Sequence, residues 1–180
     1  MEEQLGDPVI YWLDAQDRIV QVNDVWDQFA RANGGDGMLA AAVQGQPLWR
    51  FVSGDPTRMW LDAIVNVVRI TRKPQERPYR CDCPQYKRFM RMRVIPEPSG
   101  LLVRVEHHIL ALEPREPVQF EFGRGQGMAM PRCSVCCRVQ QHGQWVDPDP
   151  GTPGQYRVFY TVCPQCREGG IHAAVTPPRT

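Results

Sequence analysis

Residues 87–110 read KRFMRMRVIPEPSGLLVRVEHHIL, and the reading of this stretch decides the fold. From Lys87 to Ile95, Met90, Met92 and Val94 alternate with Arg91 and Arg93. From Leu101 to Leu110, Val103, Val105 and Ile109 alternate with Arg104, Glu106 and His108. A period of two sends successive side chains to opposite faces, so each run predicts a strand with one buried and one wetter face. Pro96 to Gly100 makes the turn between them. A third strand-like run, Arg77 to Cys83, lies just before.

Working back towards the N-terminus, Val9 to Leu13 and Arg18 to Val22 flank the turn-forming Asp14-Ala15-Gln16-Asp17 and predict a β-hairpin. Asn23 or Asp24 is placed to cap a helix over Val25, Trp26, Phe29 and Ala30, which Asn33-Gly34-Gly35 then ends. Broken helical stretches follow at Leu39 to Val43 and Leu48 to Val52. Asp55-Pro56-Thr57 starts the longest helix, with Pro56 suited to its first turn and Trp60, Ile64, Val67 and Val68 on its apolar face. Arg69, Arg72 and Lys73 gather where a helix C-terminus favours cations, and Lys73-Pro74 stops it. The predicted class is α+β: two strands, several helices, then three strands.

The 180 residues are 42% apolar, with 21 basic and 20 acidic side chains. That balance excludes a disordered or collagen-like chain, and a net charge of +1 gives no bulk reason to expect nucleic acid or a membrane. The opening MEEQLGD lacks the apolar core of a secretory signal, and no stretch reaches the roughly 18 apolar residues of a spanning helix. A cytoplasmic location is the expectation. Residues 113–130 are broken by Pro114, Pro117, Gly123, Gly125 and Gly127 and read as a linker, in which Val118 to Phe122 could add a short strand. Residues 171–180 read as a flexible tail.

The order of strands and helices resembles a PAS domain over residues 8–112. The residues carrying the likeness are Val9 to Asp14, Arg18-Ile19-Val20, Asn23, Trp26 to Phe29, the long helix before Lys73-Pro74, Arg88 to Met92, and Gly100 to Val103. The resemblance implies a five-stranded antiparallel sheet with helices on one face, acting as a sensor or interaction module in signalling. Trp26, Phe29, Trp60, Ile64, Tyr79, Cys81, Met90, Met92, Val103, Val105 and His107 are the residues that would face the helices. They could line a ligand pocket or simply form the core that any such domain needs. Alternation turns His107 inward, where it could serve a ligand or be a satisfied core histidine, and nothing in the sequence marks a haem site. Cys81 and Cys83 read as buried thiols on one strand face, and Arg91, Arg93, Arg104, Glu106 and His108 read as a solvated or partner-binding outer face.

Five of the seven cysteines lie between positions 133 and 166. Cys133-x-x-Cys136 and Cys163-x-x-Cys166, 26 residues apart, are the sharpest motif in the chain. Two such turns bring four thiolates to one tetrahedral ion, so residues 131–170 predict a small zinc-ribbon-like module whose metal lets so short a segment fold. A closed site of this kind has no open position for water and predicts no hydrolysis. The segment is similar to a cysteine-rich tail that follows sensor domains in bacterial signalling proteins. Arg138-Val139, Gly143-Gln144-Trp145, Tyr156 and the proline of Cys163-Pro164-Gln165-Cys166 carry that likeness, whereas Cys137 stands where the tail usually has Lys or Arg. Cys137 could exchange with Cys136 as a ligand, act as a redox thiol activated by Arg138, or sit idle at the surface. His142 is a minor alternative ligand.

Gly123-x-Gly125-x-Gly127 has no Lys-Ser/Thr partner for a phosphate loop, and no nucleophile–base constellation is visible. The sequence therefore predicts a non-enzymatic sensor or adaptor working through a small ligand, a protein partner or a second copy. The alternatives are a thiol switch at Cys137 and a nucleic-acid-binding zinc module, for which Arg132, Arg138, Arg157 and Arg167 make only a weak basic patch.

Overall fold

A computed structural model describes residues 5–122, 129–150, 156–169 and 174–177. Gly123, Gly125, Gly127, most of the expected tail and residues 151–155 lie outside these residues. The first half holds β1 (Val9–Leu13), β2 (Ile19–Val22), α1 (Trp26–Ala32), α2 (Ala40–Val43), α3 (Asp55–Thr71), β3 (Gln75–Arg80), β4 (Tyr86–Pro96) and β5 (Val103–Pro114). Its five strands run in the order β2-β1-β5-β4-β3, and every neighbouring pair is antiparallel.

The period-two pattern of residues 87–110 is what buries this sheet. Met92, Val94, Val103 and Val105 join Tyr11 and Leu13 on one face and pack against Leu61, Ile64, Val65 and Val68 of α3. Each fully buried aliphatic side chain of this kind contributes about 1.5–3 kcal/mol relative to exposure. The strict period fails at one place. A bulge between Phe89 and Met90 puts an extra residue into β5, so Arg88 and Phe89 are both buried.

The helix boundaries differ from expectation for identifiable reasons. Asn23 does not cap α1, whose first turn follows Val25 without a side-chain cap. Instead the Asn23 side chain accepts from the Ile10 amide and donates to the Pro8 carbonyl, locking the hairpin. Val67 turns outward and is 43% exposed, so the buried stripe of α3 is Leu61, Ile64, Val65 and Val68. The helix ends at Thr71, before Lys73-Pro74. Arg72 closes it in a left-handed conformation (φ 58°) and its guanidinium donates to the Glu97 carbonyl in the β4–β5 turn. Gly54, just ahead of α3, has φ 84°, and a Cβ there would lie 3.0 Å from the Tyr160 carbonyl oxygen. Glycine is required there because the second half of the chain packs so close.

That second half is a mixed sheet of β6 (Phe120–Phe122), β7 (Met130–Cys133), β8 (Val139–Gln141), β9 (Gln144–Val146) and β10 (Tyr156–Thr161), followed by the short α4 (Pro164–Arg167). The order is β6-β10-β7-β8-β9, with β10 parallel to both β6 and β7. Val118 and Phe120, from the segment read as linker, pack on Val139, Tyr156 and Val158. His142 (φ 48°) and Gly143 (φ 80°) form the two-residue turn between β8 and β9, the doubly positive geometry that suits a hairpin. The two sheets meet at the end of β3. There the Arg80 amide donates to the Val135 carbonyl (2.7 Å), and Thr57 and Ser134 share a hydroxyl hydrogen bond of 2.6 Å.

Candidate metal centre and ligand cavities

Parallel pairing of β7 and β10 builds the four-cysteine cluster. Their register sets Thr161 beside Cys133, so the first cysteine of each motif leaves its strand at the same level. The Ser134 amide bonds to the Thr161 carbonyl, and the amides of Val135 and Cys163 both point at the Cys133 sulfur at 3.4 Å. The sulfurs of Cys133, Cys136, Cys163 and Cys166 all lie within 4.8 Å of one another, and all four residues are buried. Cys136 and Cys163 are 3.9 Å apart, against about 3.8 Å for two thiolates on a tetrahedral zinc with 2.3 Å bonds. Hydrogen bonds from Cys136 and Cys166 hold the Cys133 thiol well below its ordinary range. The same hydrogen bonds raise the Cys136 and Cys166 thiols, so one thiolate forms readily among buried thiols, a sulfur set that fits a thiophilic cation. All four predicted ligands come together.

Cys137 does not join them. It sits at φ 60° where the first turn reverses, a conformation that favours glycine, and its thiol donates to the Arg80 carbonyl at 3.3 Å. It is 6% exposed rather than on the surface, and burial pushes its pKa up to about 12, the reverse of the activation expected from Arg138. His142 lies exposed in the β8–β9 turn and is not among the clustered ligands. Cys81 and Cys83 fall beyond the end of β3. Cys81 is exposed and Cys83 half-buried, so neither is the buried thiol expected, because the chain turns sharply at a Cys83–Tyr86 bridge.

The residues expected to face the helices divide three ways. Trp26, Phe29, Tyr79, Met90 and His107 surround a cavity of about 280 Å³ under α1, together with Tyr11 and Cys81. Trp60 and Met92 line a second, wider cleft of about 450 Å³ that opens between the first sheet and the metal module, and Tyr79, Cys81 and His107 border both spaces. Ile64, Val103 and Val105 line neither, because α3 seats directly on the centre of the sheet.

His107 stands on the partition between the two spaces. Its Nδ1 is 2.7 Å from the Tyr79 hydroxyl, and its ring stacks on Tyr11 at 5.7 Å. Burial lowers its pKa to about 4, and burial likewise raises those of Tyr79 and Tyr11. At neutral pH the partition is an uncharged, hydrogen-bonding pair in an apolar wall.

The outer sheet face is less wet than its charges suggest. Glu106 and His108 are 7% and 5% exposed: Glu106 accepts from Arg93 (3.2 Å), shares a hydrogen bond with His108 (2.9 Å) and forms an ion pair with Arg104 (3.1 Å). Two residues matter as much: Arg80, for which the sequence suggested no role, and Arg132, read only as part of a weak basic patch. Arg80, 2% exposed, pairs with Asp82 and with Asp147 (2.6 Å) of the second half, and Arg132 is buried beneath the cleft. Neither belongs to a motif, and an arginine in an alternating strand carries no mark of burial.

The chain matches no protein-family model, and no curated protein matches it significantly. Fold and site define it as an α+β protein with a five-stranded antiparallel sheet and a buried four-cysteine cluster able to hold a metal ion. No helix among the described residues is long and apolar enough to cross a membrane.

Proposed function

We propose that this chain is a non-enzymatic, cytoplasmic signalling sensor or adaptor, in which a PAS-like domain binds a small ligand and a zinc-stabilised module packs against it. The observation that carries the reading is the cavity under α1. At about 280 Å³ it lies just under the range of drug-sized sites and suits a smaller molecule; its walls are apolar, and the Tyr79–His107 pair is its main point of polar recognition. The antiparallel sheet with its helices on one face supports the PAS-like assignment, and the four buried, clustered sulfurs support zinc. The same pair borders the cleft against the metal module, so an occupant of the cavity touches the wall on which that module rests. A protein partner or second copy would then read the module's position.

NMR titration with indole, a neutral aromatic probe, tests the ligand reading. Binding should shift the signals of Tyr79, His107 and Phe29, and a spectrum unchanged at saturating probe would overturn it. Metal analysis tests the zinc reading. The wild type and Cys137→Ser should each hold one zinc per chain and Cys166→Ser none, whereas loss in Cys137→Ser would restore the thiol-switch alternative.

A further inference from the structure

The cleft between the sheets holds a buried guanidinium, Arg132, that no carboxylate among the described residues answers. Arg132 lies on β7 with Tyr160 as its register partner and is 7% exposed. Its guanidinium carbon sits 3.9 Å from the centre of the Phe120 ring. Its Nε is fully buried and has no hydrogen-bond partner. Among the described residues its one side-chain partner is the Tyr160 hydroxyl and no carboxylate forms an ion pair with it, although the other buried or half-buried arginines beside it are answered. Arg80 has Asp82 and Asp147, Arg115 has Asp82, and Arg88 has the Asn33 amide oxygen.

The acidic residue lining the cleft, Asp82, is shared between Arg80 and Arg115. The cleft walls therefore carry two guanidinium groups against one committed carboxylate. A buried cation without an anion is unfavourable, and stacking on one aromatic ring offsets only part of its lost hydration. The cleft lining also holds Tyr160, whose hydroxyl meets the Arg132 side chain, and the mutually bonded Thr57 and Ser134 hydroxyls, while Trp60, Phe51 and Leu61 supply an apolar wall. At about 450 Å³ the space falls within the range of small-ligand sites.

We propose that this cleft binds a small organic anion, with Arg132 receiving a carboxylate or phosphate head and the wall around Trp60 taking an apolar body. A planar guanidinium suits either head through paired N–H donors, which is why arginine rather than lysine fits the role. The site is separate from the cavity under α1 and would stand if that cavity took nothing. It also lies where the two halves of the chain meet, so an anion here bridges the first sheet and the metal module.

The test uses the metal-loaded full chain and three probes of similar shape. Phenylacetate and phenyl phosphate differ in the anionic head, and phenylacetamide lacks the charge. Calorimetry should show one of the acids binding about tenfold or more tighter than the amide, and the tighter acid identifies the head. In the wild type the Arg132 Nε–H resonance should move on binding. Arg132→Gln should lower affinity for the acid to that of the amide with the metal content unchanged.

Equal binding of the three probes overturns the proposal, as does an Arg132→Gln protein that binds the acids like wild type. If Arg132→Gln loses metal or unfolds, the wild-type resonance decides. An Nε–H signal unmoved at about 10 mM of either acid assigns Arg132 to balancing the thiolate charge and overturns the site.

Discussion

His107 shows how much one side chain's surroundings decide. Alternation alone turns it inward, but its chemistry comes from Tyr79 and Tyr11, which strands β3 and β1 bring from distant parts of the sequence. The folded pKa of about 4 lies below the usual value near 6.5, so the unfolded chain binds the proton more readily. Its contribution is complete above about pH 6.5 and is lost as pH falls towards 4. Over that window it should remove up to about 3 kcal/mol of stability. Urea unfolding at pH 7 and pH 4.5 reads this directly, and His107→Leu should flatten the difference. Cys137 makes the same point in reverse. Its neighbour Arg138 suggested an activated thiol, whereas burial against the Arg80 carbonyl raises its pKa instead.

At the scale of elements, α3 is the part whose sequence was read best and whose one error is instructive. Helical spacing located its apolar side, yet Val67 belongs to the exposed edge while Leu61 and Val65 belong to the core. A 17-residue helix turns through enough angle that a four-residue sample cannot centre the stripe. Ile64→Ala should therefore cost about 2–5 kcal/mol, and Val67→Ala within about 0.5 kcal/mol of nothing. Denaturant midpoints of the two variants check this, and similar losses in both would mean that α3 is rotated on the sheet. The strands tell a similar story. The period of residues 87–110 gave the faces correctly until the bulge at Phe89/Met90, which no local pattern announces because it answers the pairing partner.

Across the whole molecule, Arg80 joins the halves. Its amide and carbonyl hold the first cysteine turn through Val135 and Cys137, and its guanidinium pairs with Asp82 on its own side and Asp147 on the other. Removing Arg80 leaves Asp82 to Arg115 alone and Asp147 to Lys87 alone, so Arg80→Ala should destabilise the protein by about 1–3 kcal/mol. It should also separate the thermal unfolding of the two halves, which scanning calorimetry would record as two transitions in place of one. A single transition at the wild-type temperature would show that the shared backbone bonds suffice to couple them.

The sequence by itself determined what rests on local periodicity and spacing. The strands of residues 87–110, the long helix and the four clustered cysteines all follow from side chains a few positions apart, because strand pleat, helical turn and Cys-x-x-Cys turn are short-range geometries. Only the tertiary structure decided which of the expected pocket residues face a space and which lie under α3. It alone set Cys137 against Arg80, and it alone buried Arg132 with no carboxylate paired to it among the described residues. Those outcomes depend on pairings between strands far apart in the chain, and on the burial that follows from them. Burial governs the charge state of a side chain, and it is a property of the packed whole that no single stretch of residues contains.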